Sequence, residues 1–204
     1  MASIRTQDLR RVVCEETAKI VIDEGIRDYQ HAKLKACERL SVNPDQVMPG
    51  NIEIEQAVAT RLRIFDGAAH DLRYRQRIQI ALELMDEFES FHPRVNSDSI
   101  NTPTERSALE LHTFADTPED IYLQLHEHGI PFHDKDKRFR FNHTTWRQIP
   151  AVSFIVDEVS VDVCIFRHDR RGEIPRSQID GNAITRLKKK RLQELLQECK
   201  DEID

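Results

Sequence analysis

Val152-Ser-Phe-Ile-Val-Asp-Glu-Val-Ser-Val-Asp-Val-Cys-Ile-Phe166 holds two β-rich runs on either side of Asp157-Glu158. Branched and aromatic residues suit a pleated surface, and a two-residue polar break between such runs predicts a hairpin of residues 152–156 and 159–166. In the second run the strand period puts Ser160 and Asp162 on one face and Val161, Val163 and Ile165 on the other. Asp162 is thus an acid within the most apolar strand of the chain. Upstream, Ala108-Leu-Glu-Leu-His-Thr-Phe114 alternates as a half-buried strand would, with Glu110 and His112 on a common face. Residues 137–141 and 147–156 read as further strands. Thr117-Pro-Glu-Asp120 is a helix start, with threonine at the cap, proline first and a carboxylate third. That helix runs through Ile121, Leu123 and Leu125 to Gly129, where glycine stops it. A last helix, about 184–199, buries Leu187, Leu192, Leu195 and Leu196 and exposes Lys188-Lys-Lys-Arg191.

Before Pro93 the periodicity is helical. Leu9, Val12, Val13, Ile20 and Val21 follow one side of a first helix, which Gly25 ends, and residues 26–40 restart a second. Ser41 to Gly50 carries two prolines and a glycine and reads as a connection. Asn51 is placed to cap a helix with Glu53 and Glu55 in its first turn, and a break is expected at Gly67. The fold class that follows is α+β: a helical N-terminal region, 1–90, and an α/β domain, 91–204, with a small mixed β-sheet and flanking helices.

The 204 residues are 39% hydrophobic and 32% charged, enough apolar side chains for a core. Thirty Lys and Arg against 36 Asp and Glu give a net charge of -6. Holding long nucleic acid through its phosphates calls for a basic excess, so that class is disfavoured. Cys14, Cys37, Cys164 and Cys199 form no C-x-x-C pair, so reduced thiols are expected. No apolar run approaches membrane-spanning length, and Met1 to Asp28 has scattered charges; both lead to the expectation of a cytoplasmic protein.

If the strands of Glu110 and Asp162 are neighbours, their carboxylates face one solvent-facing cleft and can share a divalent cation through oxygen ligands. The alternative is two solvated acids on the open face of an antiparallel sheet. His112 shares the face of Glu110, as a substrate-binding or basic group or as a cross-strand hydrogen-bond partner. His126 and His128, two apart on a helix, point about 200° apart and cannot chelate one ion.

Residues 101–116, the Thr117 helix start, His128-Gly-Ile-Pro-Phe132, Val161-Asp-Val-Cys-Ile-Phe166 and Ile179-Asp-Gly181 together resemble a group of bacterial proteins of the DNA polymerase beta-like nucleotidyltransferase superfamily. Residues 23–29 and 51–55 are similar to the helical part that precedes the catalytic-type domain in that group. The resemblance implies a palm-like fold, magnesium held by strand-borne acids, and transfer of a nucleotidyl group from a nucleoside triphosphate. Carried over, Ser107-Ala-Leu-Glu-Leu111 takes the place of the acidic strand motif, Glu110 and Asp162 are the metal ligands and catalytic acids, and Thr102, Arg106 and Ser107 lie near the phosphates. Two positions depart from the pattern. Ala108 stands where the first metal-binding aspartate is expected, and the turn 97–102 lacks the glycine that lets backbone N–H groups approach phosphate. The implied activity is therefore nucleotide binding or transfer with a partly degraded site. The competing expectations are an inactive member of the fold that binds a protein partner through its helical half, and RNA binding through Lys188–Arg191 or Arg73, Arg75 and Arg77.

Overall fold

The computed structural model describes residues 2–26, 28–101, 107–142, 144–177 and 181–201. It is a mixed α+β structure that separates into two compact units. The first comprises residues 1–71 with 104–107 and 178–181; the second comprises 72–103, 108–177 and 182–204. The division falls inside a helix, between Asp71 and Leu72, and not at residue 90.

The first unit contains α1 (Ala2–Glu24), α2 (Tyr29–Leu40), α3 (Pro44–Val47) and the first half of α4 (Asn51–Glu87). Gly25 ends α1 at a φ of 68°, a conformation open to glycine without a Cβ penalty. Val13, Ala18, Ile20 and Val21 of α1 pack with Ala32, Ala36 and Cys37 of α2 and with Ile54 and Val58 of α4. Leu9 and Val12, expected on the same face, are exposed. Asn51 does not cap α4. Its side-chain oxygen accepts from Lys33 Nζ, and Gly50 holds the cap position, its N–H donating to Glu53 Oε2 at 2.6 Å in the manner of a capping box. Nor does α4 break at Gly67: one glycine costs about 1 kcal/mol relative to alanine, too little to interrupt a 37-residue helix.

The second unit holds the remainder of α4, then β1 (Arg94–Asn96), α5 (Ser97–Asn101), β2 (Leu109–Ala115), α6 (Pro118–Glu127), β3 (His133–Arg140), β4 (Trp146–Val156), β5 (Val159–Arg167), β6 (Arg186–Leu187) and α7 (Lys189–Asp201). The six strands form one sheet in the order β3-β4-β5-β2-β1-β6. β2 and β5 pair in parallel, and every other neighbouring pair is antiparallel. One face carries Leu109, Leu111, Val161, Val163, Ile165 and Val152 against the apolar sides of α4, α6 and α7, contributed by Ile78, Met85, Ile121, Leu125 and Leu192, with Phe88 just past the end of α4. The other face is also covered: Phe114, Phe139, Ala151, Cys164, Phe166 and Ile184 form a second cluster. Hence all seven residues of β2 are buried, where one open face was expected. Among the described residues no helix is long and apolar enough to cross a membrane.

Two local expectations hold in detail. Thr117 precedes α6 with Pro118 at its first position, and the Thr117 N–H donates to Asp120 Oδ2 at 3.1 Å. Asp157 and Glu158 join β4 to β5 with φ of 46° and 68°. Positive φ at both loop residues is the turn whose twist matches the strands, and it normally recruits Asn and Gly. Glu158→Gly is therefore expected to stabilise the protein by about 1 kcal/mol, because the left-handed conformation penalises a Cβ by roughly that amount. A higher urea midpoint with an unchanged slope is the expected result; an unchanged or lower midpoint contradicts this account of the turn.

Candidate functional site

Glu110 and Asp162 stand side by side. They are register partners on the parallel strands β2 and β5, so their side chains leave the same face of the sheet. The two-residue hairpin places Ser153 of β4 opposite Asp162. Neither acid is open to solvent as expected: Glu110 is 6% exposed and Asp162 3%. The reason lies on the edge strand, where Lys135 and Lys137, two apart and so on one face, reach across β4. Lys137 Nζ donates to Glu110 Oε2 and, at 3.0 Å, to Asp162 Oδ2. Lys135 Nζ donates to Asp162 Oδ1 at 2.7 Å, and Ser153 Oγ donates to the same oxygen at 2.7 Å. Glu110 Oε1 accepts from Asn96 Nδ2 of β1 at 2.8 Å and lies 2.8 Å from His112 Nε2. Every one of the four carboxylate oxygens has a protein donor, and two acids face two ammonium groups.

His112 is fully buried. Arg186 of β6 donates from Nε to His112 Nδ1 at 2.9 Å. A guanidinium cannot accept, so Nδ1 bears no proton, and the imidazole is the neutral Nε2–H form that donates to Glu110. Arg186 lies over the rings of Phe114 and Phe166, with its guanidinium carbon 5.2 and 4.6 Å from the centroids. Asn96, Glu110 and His112 are thereby joined to Arg186 in one chain of polar contacts.

The electrostatics follow from this packing. Burial alone would raise the Glu110 carboxyl, but Lys137 and the hydrogen bond from His112 outweigh it and hold the group well below its ordinary range. For Asp162 the balance is similar: burial opposes ionisation, and Lys137 with Lys135 and Ser153 favours it, leaving the carboxyl lowered. Burial would lower the Lys137 ammonium, but the Glu110 and Asp162 carboxylates raise it. His112 is pushed down, chiefly by burial, against the opposing pull of Glu110. Arg186 falls to about 10, mainly through burial.

Magnesium does not fit this arrangement. It requires octahedral oxygen ligation, commonly with retained waters, whereas the oxygens of Glu110 and Asp162 are already engaged and the point between them is held by the Lys137 ammonium. Glu110, His112 and Cys164 bring a carboxylate oxygen, a ring nitrogen and a sulfur within 4.8 Å of one another, a spacing that a transition metal could span. Such an ion would need the Cys164 thiolate, yet burial first and Glu110 second push that thiol well above its usual range. Lys137 and Arg186, flanking the group, oppose a further cation.

Comparisons with known protein families, with curated proteins and with solved structures return no match. The remaining candidates are therefore judged by position alone. Ser107 is half-buried just ahead of β2, and Ala108 is 6% exposed. Thr102 and Arg106 lie outside the described residues, as do Ile179 and Asp180. The basic run before and within α7 is partly neutralised, with Lys189 paired to Asp86 and Arg191 to Glu194 and Glu198. Arg77 is buried and donates to the Ser99 carbonyl at 3.1 Å. Asn96, Lys135, Lys137, Ser153 and Arg186 join the site without being among the residues expected from the sequence. Ser153 was recoverable, because a two-residue hairpin closed by 157–158 pairs 153 with 162. The two lysines carried the signal of a shared strand face. Nothing local marks Asn96 or Arg186.

Proposed function

We propose that the α/β unit is a nucleotidyltransferase-like palm whose cation position has been taken over by its own lysine, and that the protein acts as a non-catalytic interaction or regulatory module. The observation that carries this reading is Lys137 Nζ, bonded to both Glu110 and Asp162. An ammonium balances the carboxylates as a metal would, yet it offers no Lewis acidity or open coordination position to a triphosphate. Ala108 at the position of the missing ligand supports the same conclusion, as does the stretch expected to be a phosphate-binding turn, which lacks glycine and whose residues Ser97–Asn101 form the helix α5 instead. A protein partner engaging the helical half remains the interaction expected from the sequence.

The second reading, magnesium-dependent nucleotide binding or transfer, draws support from the in-register convergence of Glu110 and Asp162. It requires both lysines to swing away when magnesium and nucleotide arrive. Manganese titration followed by electron paramagnetic resonance, with ATP, CTP, GTP and UTP each present, separates the two. The proposal expects no manganese bound at Glu110 and Asp162 and no pyrophosphate release. Turnover by the unaltered protein that is abolished in Asp162→Asn excludes it in favour of the second reading.

A further inference from the structure

Past the Ala151–Cys164 pair, β4 and β5 part company. β4 extends back to Trp146 paired with β3, while β5 extends on to Arg167 paired with β2. Pro150 sits at the parting, where its missing N–H cannot donate to a ladder with β5. The gap is a cleft of about 340 Å³, within the range of small-ligand sites and near its lower end. Its apolar walls include Phe141, Ile149, Ile165 and Phe166, and Arg147, Arg167 and Arg170 line it with the acids Asp116 and Glu173. Glu110 and Asp162 do not line this cleft.

One cation of the cleft already holds a carboxylate. Arg147 lies with its guanidinium carbon 4.8 Å from the centroid of the Phe141 ring and pairs with the carboxylate of Glu173. Arg167 is held by Asp169 at 3.1 Å, and Arg170 is exposed. Of the two residues at the start of α6 that line the cleft, Thr117 has its N–H taken by Asp120 and Pro118 has none. Glu173 thus shows where an acid sits on Arg147, beside an aromatic wall. We propose that the cleft binds a small aromatic carboxylic acid: the ring enters between the apolar walls, and the carboxylate replaces that of Glu173 on Arg147 with Arg170 as a second cation. A planar guanidinium recognises a carboxylate by paired hydrogen bonds, and the flat apolar walls select a ring. This proposal does not depend on the reading of Glu110 and Asp162.

Titration of the full chain with benzoate, phenylacetate and indole-3-acetate, followed by calorimetry and by amide NMR signals, tests it; acetate, benzyl alcohol, inorganic phosphate and AMP serve as comparators. At least one aromatic acid is expected to bind with Kd below about 1 mM, moving the signals of Ile149, Phe166 and Glu173. Arg147→Ala should weaken that binding at least roughly tenfold, and Glu173→Gln should tighten it by removing the internal competitor. The proposal is overturned if none of the three acids binds, if acetate or benzyl alcohol binds as tightly, if inorganic phosphate or AMP binds more tightly than any of the acids, or if both variants leave affinity unchanged.

Discussion

Lys137→Met is expected to lower the free energy of unfolding by about 3–5 kcal/mol, the range found when one partner of a buried ion pair is removed. Among the described residues Lys137 is the ammonium that touches both Glu110 and Asp162. Without it, two nearly buried carboxylates repel each other across adjacent strands, and one must take up a proton or draw in water. Lys135 provides the contrast. Among the described residues it bonds Asp162 and not Glu110, and its side chain is 40% exposed, so Lys135→Met should cost at most about 1 kcal/mol. The triple variant Lys137→Met, Glu110→Gln, Asp162→Asn should recover much of the loss, because replacing a whole buried ionic group by neutral side chains is far less costly than leaving it unbalanced. Urea denaturation of the three variants checks this. A loss below about 1 kcal/mol for Lys137→Met would show that the bridge contributes little, and the proposal for the lysine would lose its physical basis.

Stability should fall in two stages on acidification. His112 is buried as the neutral imidazole, its pKa pushed below the ordinary value near 6.5. As the pH drops through about 6.5, the unfolded chain takes up a proton that the folded chain refuses, and one such proton removes up to about 1.4 kcal/mol per pH unit. This loss continues until the folded-state pKa is reached. The carboxyls of Glu110 and Asp162 are also lowered by folding. Their contribution is fully present above the unfolded values of about 4.3 and 3.9, and it disappears as the pH falls through the folded ones. Lys137, raised by folding, works in the opposite window: its contribution is complete below the unfolded value near 10.4 and is lost as the pH rises through the folded one. His112→Gln separates the stages. A neutral amide can accept from Arg186 and donate to Glu110, so the slope between pH 7 and 5 should flatten while the drop below pH 4.5 remains. An equal slope in the variant and the parent between pH 7 and 5 would assign the first stage to another group.

Much of the architecture could be read along the chain because it is local. The hairpin at 157–158, the stop at Gly25 and the proline-led start of α6 each depend on residues within a few positions of one another. The path of α4 was less legible, since glycine weakens a helix by an amount that packing along 37 residues can override. The exposure of Leu9 and Val12 has the same origin: periodicity marks an apolar side but does not say how much of it a partner covers.

For the site, alternation along 108–114 and 159–166 determined which side of its strand each acid occupies, because the strand period is a property of the backbone. It could not determine that β2 and β5 are parallel neighbours in register, since 46 residues of intervening chain, with α6, β3 and β4, lie between Ala115 and Asp162. Nor could it show that both sheet faces are covered, which turned an expected open cleft into a buried ionic network. The sequence by itself therefore settled the α+β class, the hairpin and the acidic strand positions. Only the tertiary structure decided that Lys137 from an edge strand bridges the two acids, because which charges balance a buried carboxylate depends on strand order, and strand order is a long-range property of the fold.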